Sequence, residues 1–131
     1  MYISLVTSTL GEGGAEHSTM RLANGFAKRG IKVDLVCQRA EGPLEDKVGE
    51  NVRIVNLNAH RSNNYLRAVS SVPALVQYLR HAEPSFLVAS HPRVTNVIAL
   101  ISWRISCAKT VPIAIERNSL SSYFSDTSLL K

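Results

Sequence analysis

The sequence lacks the features that mark secreted and membrane-spanning proteins. Its opening, MYISLVTSTL, has no basic residues ahead of a short apolar run, so a signal peptide is not expected. The longest apolar stretch, VTNVIALISW, is about half the length that a membrane-spanning helix needs. It also has a basic residue on either side, Arg93 and Arg104. We therefore expect a protein of the cytoplasm, with any membrane contact peripheral and at the inner face.

Cysteine and histidine are too scattered for a legible metal site. Cys37 and Cys107 have no partner at metal-ligand spacing, and the four histidines are dispersed. Both cysteines lie in apolar stretches, which predicts two buried, unpaired thiols in a reducing compartment and no metal.

Aromatic residues are also scarce, and the positive charge is dispersed. Aromatics make up 6% of the chain and do not interleave with a basic stripe, so nucleic acid is not an expected partner. The formal net charge of +5 fits either a solvated surface or attraction to an anionic partner. Such a partner would be a phosphate-bearing ligand or the inner face of a membrane.

What the sequence does have is a regular alternation of short apolar runs and amphipathic segments. The runs are rich in β-branched residues and predict five strands, at 2–7, 31–38, 52–57, 85–90 and 111–116. Helical spacing predicts helices at 15–30, within 65–84 and at 92–107.

Two of these helices carry a specific expectation. In the second, Pro73 is tolerable only near a helix start, so the residues before it form either an earlier turn or a kinked extension. In the third, we expect one shared apolar face, made of Val94, Val97, Ile98, Ile101 and Ile105.

The alternation predicts a Rossmann-like α/β fold. It implies a mostly parallel sheet with helices on both faces, in three layers, α/β/α. The length suits one domain over residues 1–131, with 119–131 as a tail that begins a further element. Ligands of such sheets bind beyond the carboxyl ends of the strands, so the loops after Thr7, Ser90 and Glu116 are the candidate site.

The first of these loops, GEGGAE, either meets a phosphate or only turns the chain. In a dinucleotide fingerprint, Gly11 and Gly13 fit, but Glu16 takes the place of the third glycine. Arg39 after the second strand keeps a small NADP-binding protein open as an alternative. The G-K-[ST] of a mononucleotide P-loop is absent. Glu16 falls in the first helical turn, where a carboxylate favours the helix dipole, and that role alone is sufficient to explain it.

The stretch GEGGAEHSTMRLANGFAKRGIKVDLVC resembles the start of the GT-B glycosyltransferases of family 4, in which a G-G-[AS]-E loop follows the first strand. The likeness continues through AEGPLEDKVGENVRIVNL, SVPALVQYLRHAEPSFLVASH and AIERNSLS, and runs from about residue 2 to residue 122. The resemblance implies the amino-terminal, acceptor-side domain of a retaining enzyme. That enzyme would move a sugar from a nucleotide-sugar donor to an acceptor hydroxyl on a glycan or a lipid-linked glycan.

The resemblance also implies a set of site residues. His91 would contact the donor sugar as the candidate catalytic residue, and Gly13 and Gly14 would lie against the donor diphosphate. With these, the substrate-binding residues would be Gly13, Gly14, Glu16, Glu116, Arg117 and Asn118. No cofactor and no metal are implied, because the donor is itself a substrate.

The paired glutamates of the family's donor-binding half have no counterpart in this sequence. We therefore expect the chain to resemble the first half of such an enzyme and to be inactive alone. The alternative from another class is a non-enzymatic α/β module that binds a partner, with self-association through an exposed interdomain face.

Overall fold

The computed structural model of the chain describes residues 1–91 and 94–116, which form one five-stranded sheet with helices on both faces. In chain order the elements are β1 (Tyr2–Thr7), α1 (Gly14–Lys28), β2 (Lys32–Cys37), a 3₁₀ turn (Pro43–Lys47), β3 (Val52–Asn56), α2 (Asn64–Ser70), α3 (Val72–Ala82), β4 (Phe86–Ala89), α4 (Val94–Ser106) and β5 (Val111–Ala114). The strands pair in the order β3-β2-β1-β4-β5, and every pairing is parallel. The predicted Rossmann-like α/β fold is confirmed.

Strand alternation divides the core into two layers. On one face, Ile3 and Leu5 of β1 pack with Val33 and Leu35 of β2 beneath α1. On the other face, buried side chains of the strands pack against α3 and α4; they are Val6, Val36, Leu87 and Ala89. Because neighbouring residues of a strand point to opposite faces, a strand covered on both sides is apolar almost throughout.

Helix α1 begins and ends at glycines. Gly13 is the N-cap, and Gly30 lies just past the C-terminus at φ +82°, a conformation that glycine adopts without strain. There the N–H of Gly30 donates to the carbonyl of Ala27, and the N–H of Ile31 donates to the carbonyl of Phe26. This pair of bonds is a Schellman motif, which satisfies carbonyls that the helix end leaves free.

The segment around Pro73 contains two helices rather than one. Helix α2 ends at Ser70 and α3 begins at Val72, with Pro73 in the first turn of α3. From the sequence, the residues before Pro73 were expected to form either an earlier turn or a kinked extension of the helix. In the structure they form a separate short helix, α2, which corresponds to the first alternative. Asn63 caps it, since the Asn63 side chain accepts a hydrogen bond from the N–H of Leu66.

Helix α4 is rotated away from its expected orientation. The predicted apolar face is wrong: Ile98 is buried, but Val97, Ile101 and Ile105 are exposed. Small residues, among them Ala99 and Ser102, face the interior instead and allow α4 to pack closely on its neighbours. No helix within the described ranges is long and apolar enough to cross a membrane.

The two cysteines differ in environment, and both are unpaired. Cys37 is buried as expected, and burial, aided by the charge of Glu45, raises the pKa of its thiol to about 12. Cys107 is exposed, so the expectation of a buried thiol is wrong there. It follows the last residue of α4 at φ +55°, where the chain turns toward β5 and leaves the helical face.

A buried carboxylate joins the sheet to α3. Asp34 accepts two hydrogen bonds from Arg53, from Nε at 3.0 Å and from Nη2 at 2.5 Å. It also accepts from the hydroxyls of Tyr2 and Tyr78, and Tyr78 contacts Ser4 at 2.5 Å. Burial alone would raise the pKa of Asp34, but the hydrogen bonds, led by the one from Arg53, hold that pKa below its usual value. Burial and the bond to Asp34 raise the pKa of Tyr78.

Candidate functional site

A cleft of about 560 Å³ lies at the carboxyl edge of the sheet. It forms where the strand order reverses between β1 and β4, the position at which open parallel sheets bind ligands. Its walls come from the loop after β1, the start of α1, helix α2, and the loop from β4 into α4. The lining residues are Ser8, Thr9, Gly14, Ala15, Glu16, Asn64, Tyr65, Arg67, His91, Val94 and Thr95.

The glycine loop supplies one wall of the cleft. Gly13 has no side chain to cap α1, so the first-turn N–H groups have no cap acceptor from that residue. A Cβ at Gly13 would overlap the carboxylate of Glu16, whereas a Cβ at Gly14 would meet nothing within 4 Å. Gly14 is therefore not required for packing within the described chain. Its open side faces the cleft, where a ligand has room to approach the backbone.

His91 lies at the floor of the cleft beside the glycine loop. Its Nε2 is 3.1 Å from Oγ1 of Thr7 and 3.8 Å from Oε1 of Glu16. Its backbone N–H donates to Oδ1 of Asn96 at 3.0 Å, and the residue is 8% exposed. The chain therefore holds the imidazole in a defined position instead of leaving it in solvent. Glu16 lies in the first turn of α1, as the sequence predicted.

A buried pair of hydroxyl groups connects α1 to the end of β4. Oγ1 of Thr19 on α1 lies 3.0 Å from Oγ of Ser90, the residue before His91. Thr19 also donates to the carbonyl of Ala15 at 2.8 Å. These contacts join the start of α1 to the end of β4, so the glycine loop and His91 form one rigid corner.

The opposite wall comes from α2, which the sequence reasoning did not include in the site. Nη1 of Arg67 donates to Oδ1 of Asn64 at 3.0 Å and to Oγ of Ser8 at 3.3 Å. The available signal was Asn63, a helix-capping residue type, which places Arg67 in the first turns of a helix that follows β3. That signal predicts the helix but not the side of the sheet on which it packs.

The predicted residues after the fifth strand are not part of this cleft. Glu116 is exposed and does not line it. Arg117 and Asn118 lie outside the described residues.

Arg39, the basis of the NADP alternative, is held by its own chain. Its Nη1 donates to the carbonyl of Ala59 at 2.8 Å, and its Nε lies 2.8 Å from Oε1 of Glu41. The guanidinium is only partly exposed, and the Glu41 carboxylate beside it would repel a 2′-phosphate. The geometry gives the NADP alternative no support.

A second groove, of about 620 Å³, lies between β3 and α3. Arg53, Tyr78 and His81 are among its lining residues, and none of the predicted site residues is there. Arg53 and Tyr78 belong to the hydrogen-bond network around Asp34, so this groove borders that network. The smaller cleft is therefore the better candidate, because the glycine loop and His91 both reach it.

Comparisons with known proteins agree with the fold. The family model of Glycosyltransferase Family 4 matches residues 12–126. Among solved structures, the chain is similar to the apo form of the lipopolysaccharide outer core galactosyltransferase WaaB, with a TM-score of 0.67 at 14% sequence identity. That likeness shows a shared fold; it covers 93% of this chain but 35% of the WaaB chain, so this chain spans about a third of that protein's length. No curated protein matches the chain significantly. Since the family model covers most of its length, the chain belongs to Glycosyltransferase Family 4.

Proposed function

We propose that this chain is the acceptor-side domain of a retaining glycosyltransferase. The enzyme moves a hexose from a nucleotide-sugar donor to a hydroxyl of a glycan or a lipid-linked glycan. The observation that carries the proposal is the corner of the cleft where the start of α1 and His91 meet, at the point of strand-order reversal. Membership of the family supports sugar transfer as the reaction.

The start of α1 is suited to the donor's diphosphate. A helix N-terminus carries partial positive charge and directs free N–H groups outward, and both favour phosphate oxygens. Gly14 leaves the backbone open on the cleft side, since a Cβ there would meet no atom of the chain within 4 Å. In this proposal Gly13 and Gly14 contact the diphosphate, and Glu16 supports the position of His91.

His91 is assigned a contact with the donor sugar. The acceptor oxygen forms a bond to the anomeric carbon as the bond from that carbon to the diphosphate breaks. The proton of the acceptor hydroxyl passes to the departing diphosphate oxygen on the same face. This route requires no protein nucleophile. His91 acts by holding the sugar, because Thr7 and Glu16 already fix the imidazole.

A binding screen tests the proposal directly. Nucleotide sugars are titrated against the wild-type chain and against Gly14→Val, which adds a branched side chain to a residue that lines the cleft and where a Cβ meets no atom within 4 Å. Gly25→Ala on the same helix is the matched control, since a Cβ there also meets nothing. We expect binding by the wild type and the control and a loss of at least about tenfold in Gly14→Val. Equal binding by all three proteins would contradict the assignment of this corner.

We also propose that turnover needs a second, donor-binding domain. Assays of the 131-residue chain with a nucleotide sugar and a glycan acceptor should then show no transfer. Measurable transfer by this chain alone would refute that dependence.

Peripheral contact with an anionic membrane belongs to the same proposal. The support is the formal net charge of +5, which attracts a surface rich in phosphates. Co-sedimentation with vesicles of anionic phospholipid, but not with neutral vesicles, is the expected result. No preference between the two vesicle types would count against it.

A second candidate function, an interaction module, rests on the apolar surface of α4 and β5. Val97, Ile101 and Ile105 of α4 are exposed, as are Val111 and Ile113 of β5. Strand β5 is the edge of the sheet in the described residues, and an edge strand presents unpaired backbone groups to another strand. We propose a second copy of the chain as the occupant, because edge-to-edge pairing of β5 is self-complementary. Light scattering should show a dimer that Ile113→Lys dissociates; a monomeric wild type would refute this.

A further inference from the structure

Arg67 lines the cleft and has no acidic partner among the described residues, in contrast to Arg39, Arg53 and Arg61. Arg39 and Arg61 lie within 4.0 Å of Glu41, and Arg53 pairs with Asp34. Among residues 1–91 and 94–116, no carboxylate lies that close to Arg67. A guanidinium is always charged, so the chain places an uncompensated positive charge in the wall of the cleft.

The Arg67 side chain is also held ready for a ligand. Both of its hydrogen bonds, to Asn64 and Ser8, come from the single nitrogen Nη1. Its Nε is shielded from water and has no acceptor in the described part of the chain. Buried N–H groups without an acceptor are rare in native proteins, and a guanidinium has further donors in a fixed planar fork. An oxyanion is the ligand that such a fork binds best.

The residues around Arg67 indicate the class of ligand more closely. Tyr65 lines the same cleft and is largely exposed, so its ring offers an apolar surface next to the charge. Gly14 and Ala15, at the positive end of α1, line the same cleft. Glu16 is the acidic residue among those that line the cleft, and its carboxylate lies 3.8 Å from Nε2 of His91. The charge of Arg67 and the positive end of α1, with one aromatic ring, suit a sugar that carries a phosphate.

We propose that Arg67 is a substrate-binding residue that holds a phosphate group of a sugar substrate in this cleft. The inference rests on the proposed function, which makes the cleft the substrate site, and it adds a residue and a charge requirement to that site. The phosphate belongs either to the donor's diphosphate or to a phosphorylated acceptor. Both sources present a phosphate group to Arg67, and the experiment below distinguishes between them.

The test is calorimetric titration of the chain with three probes: UDP, glucose 6-phosphate and uncharged glucose. Arg67→Gln removes the charge and keeps much of the length, and Arg67→Lys keeps the charge but loses the fork. Arg61→Gln is the matched control, since Arg61 is exposed, is paired with Glu41 and does not line the cleft. Circular dichroism confirms that each variant folds.

We expect Arg67→Gln to bind at least one phosphate probe about tenfold or more weakly, with Arg67→Lys intermediate and Arg61→Gln unchanged. Loss of UDP binding assigns the contact to the donor, and loss of glucose 6-phosphate binding alone assigns it to the acceptor. In both cases, cross-peaks of the Ser8 and Asn64 amides should shift on titration of the wild type, and in Arg67→Gln they should shift only at about tenfold higher probe concentration. The proposal is overturned if Arg67→Gln binds both phosphate probes as the wild type does, or if the wild type binds neither.

The same experiment separates this inference from the proposed function. If Gly14→Val binds nucleotide sugars normally while Arg67→Gln loses glucose 6-phosphate, the donor corner is wrong and the phosphate contact stands. If Gly14→Val loses nucleotide sugars while Arg67→Gln binds every probe normally, the donor corner stands and the role of Arg67 is refuted.

Discussion

Gly42 should control the shape of the glycine loop even though it is distant from it in sequence. The chain around Gly42 is bonded to the loop after β1 through Leu10, whose N–H donates to the Glu41 carbonyl at 3.0 Å. The N–H of Leu44 in turn donates to the carbonyl of Leu10 at 3.0 Å. Gly42 has φ +143°, and a Cβ there would overlap the Leu10 carbonyl and lie 2.7 Å from the Gly11 nitrogen. We therefore expect Gly42→Ala to displace the backbone that leads into the cleft.

The expected loss of unfolding free energy in Gly42→Ala has two sources, backbone strain and steric overlap. An alanine at this φ costs of the order of 1–3 kcal/mol in backbone strain. The overlap adds a second cost, because the atoms that must move belong to the backbone rather than to a flexible side chain. Together they place the loss of unfolding free energy at about 3 kcal/mol or more, which is a large share of the usual stability of a domain.

Substitutions at two other glycines serve as comparisons for Gly42→Ala. Gly30 also has positive φ, +82°, but a Cβ there meets nothing, so Gly30→Ala should cost only about 1 kcal/mol. Gly25 is inside α1 with open space around it, and Gly25→Ala should stabilise the chain by about 0.5–1 kcal/mol. Urea unfolding followed by circular dichroism measures all three. If Gly42→Ala loses no more stability than Gly30→Ala, the close approach to Leu10 is not the cause.

Further predictions concern three other sites. Asp34→Asn should lower stability at pH 7 by about 2 kcal/mol, a modest value because Arg53 is largely exposed. Folding lowers the pKa of Asp34, so the stabilisation from its carboxylate is present above about pH 4 and is lost as the pH falls through the lowered pKa. The difference in unfolding free energy between wild type and Asp34→Asn, measured by urea unfolding, should therefore disappear in acid. His91→Gln should cost about 1 kcal/mol in stability and weaken nucleotide-sugar binding about tenfold, and calorimetry showing undiminished affinity would exclude it from the site. A thiol reagent should modify Cys107 in the folded chain and Cys37 only after unfolding, since Cys37 is buried with its pKa raised to about 12; rapid double labelling would contradict that burial.

Local patterns were sufficient to predict most elements and to bring the glycine loop and His91 to one edge of the sheet. The apolar runs predicted all five strands, and helical spacing predicted the segments that contain α1, α3 and α4. The glycine loop and His91 each follow a strand directly, so parallel pairing was enough to bring them to one edge. Glu116 also follows a strand, but β5 lies at the far side of β4, and the residue does not reach the cleft.

Helix α4 shows where a local pattern is not sufficient. Its branched apolar residues repeat at helical spacing, yet Ile101 and Ile105 face outward. Asn96 ties the first turn to two partners, the N–H of His91 and the carbonyl of Ile115 at 3.1 Å. The rotation of a helix depends on such contacts and on the size of its neighbours, and neither can be read from the spacing of its own apolar residues.

The amino-acid sequence by itself determined the order of strands and helices, the two-sided core and the glycine loop at the start of α1. These features depend on residues near one another in the chain, where backbone preferences and periodicity act directly. Only the tertiary structure decided that Arg67 and Gly14 line one cleft and that Gly42 packs against the backbone of Leu10. These pairs are separated by tens of residues, and their contact depends on the strand order and the packing of α2. Long-range packing thus completed a cleft of which the sequence predicted one wall.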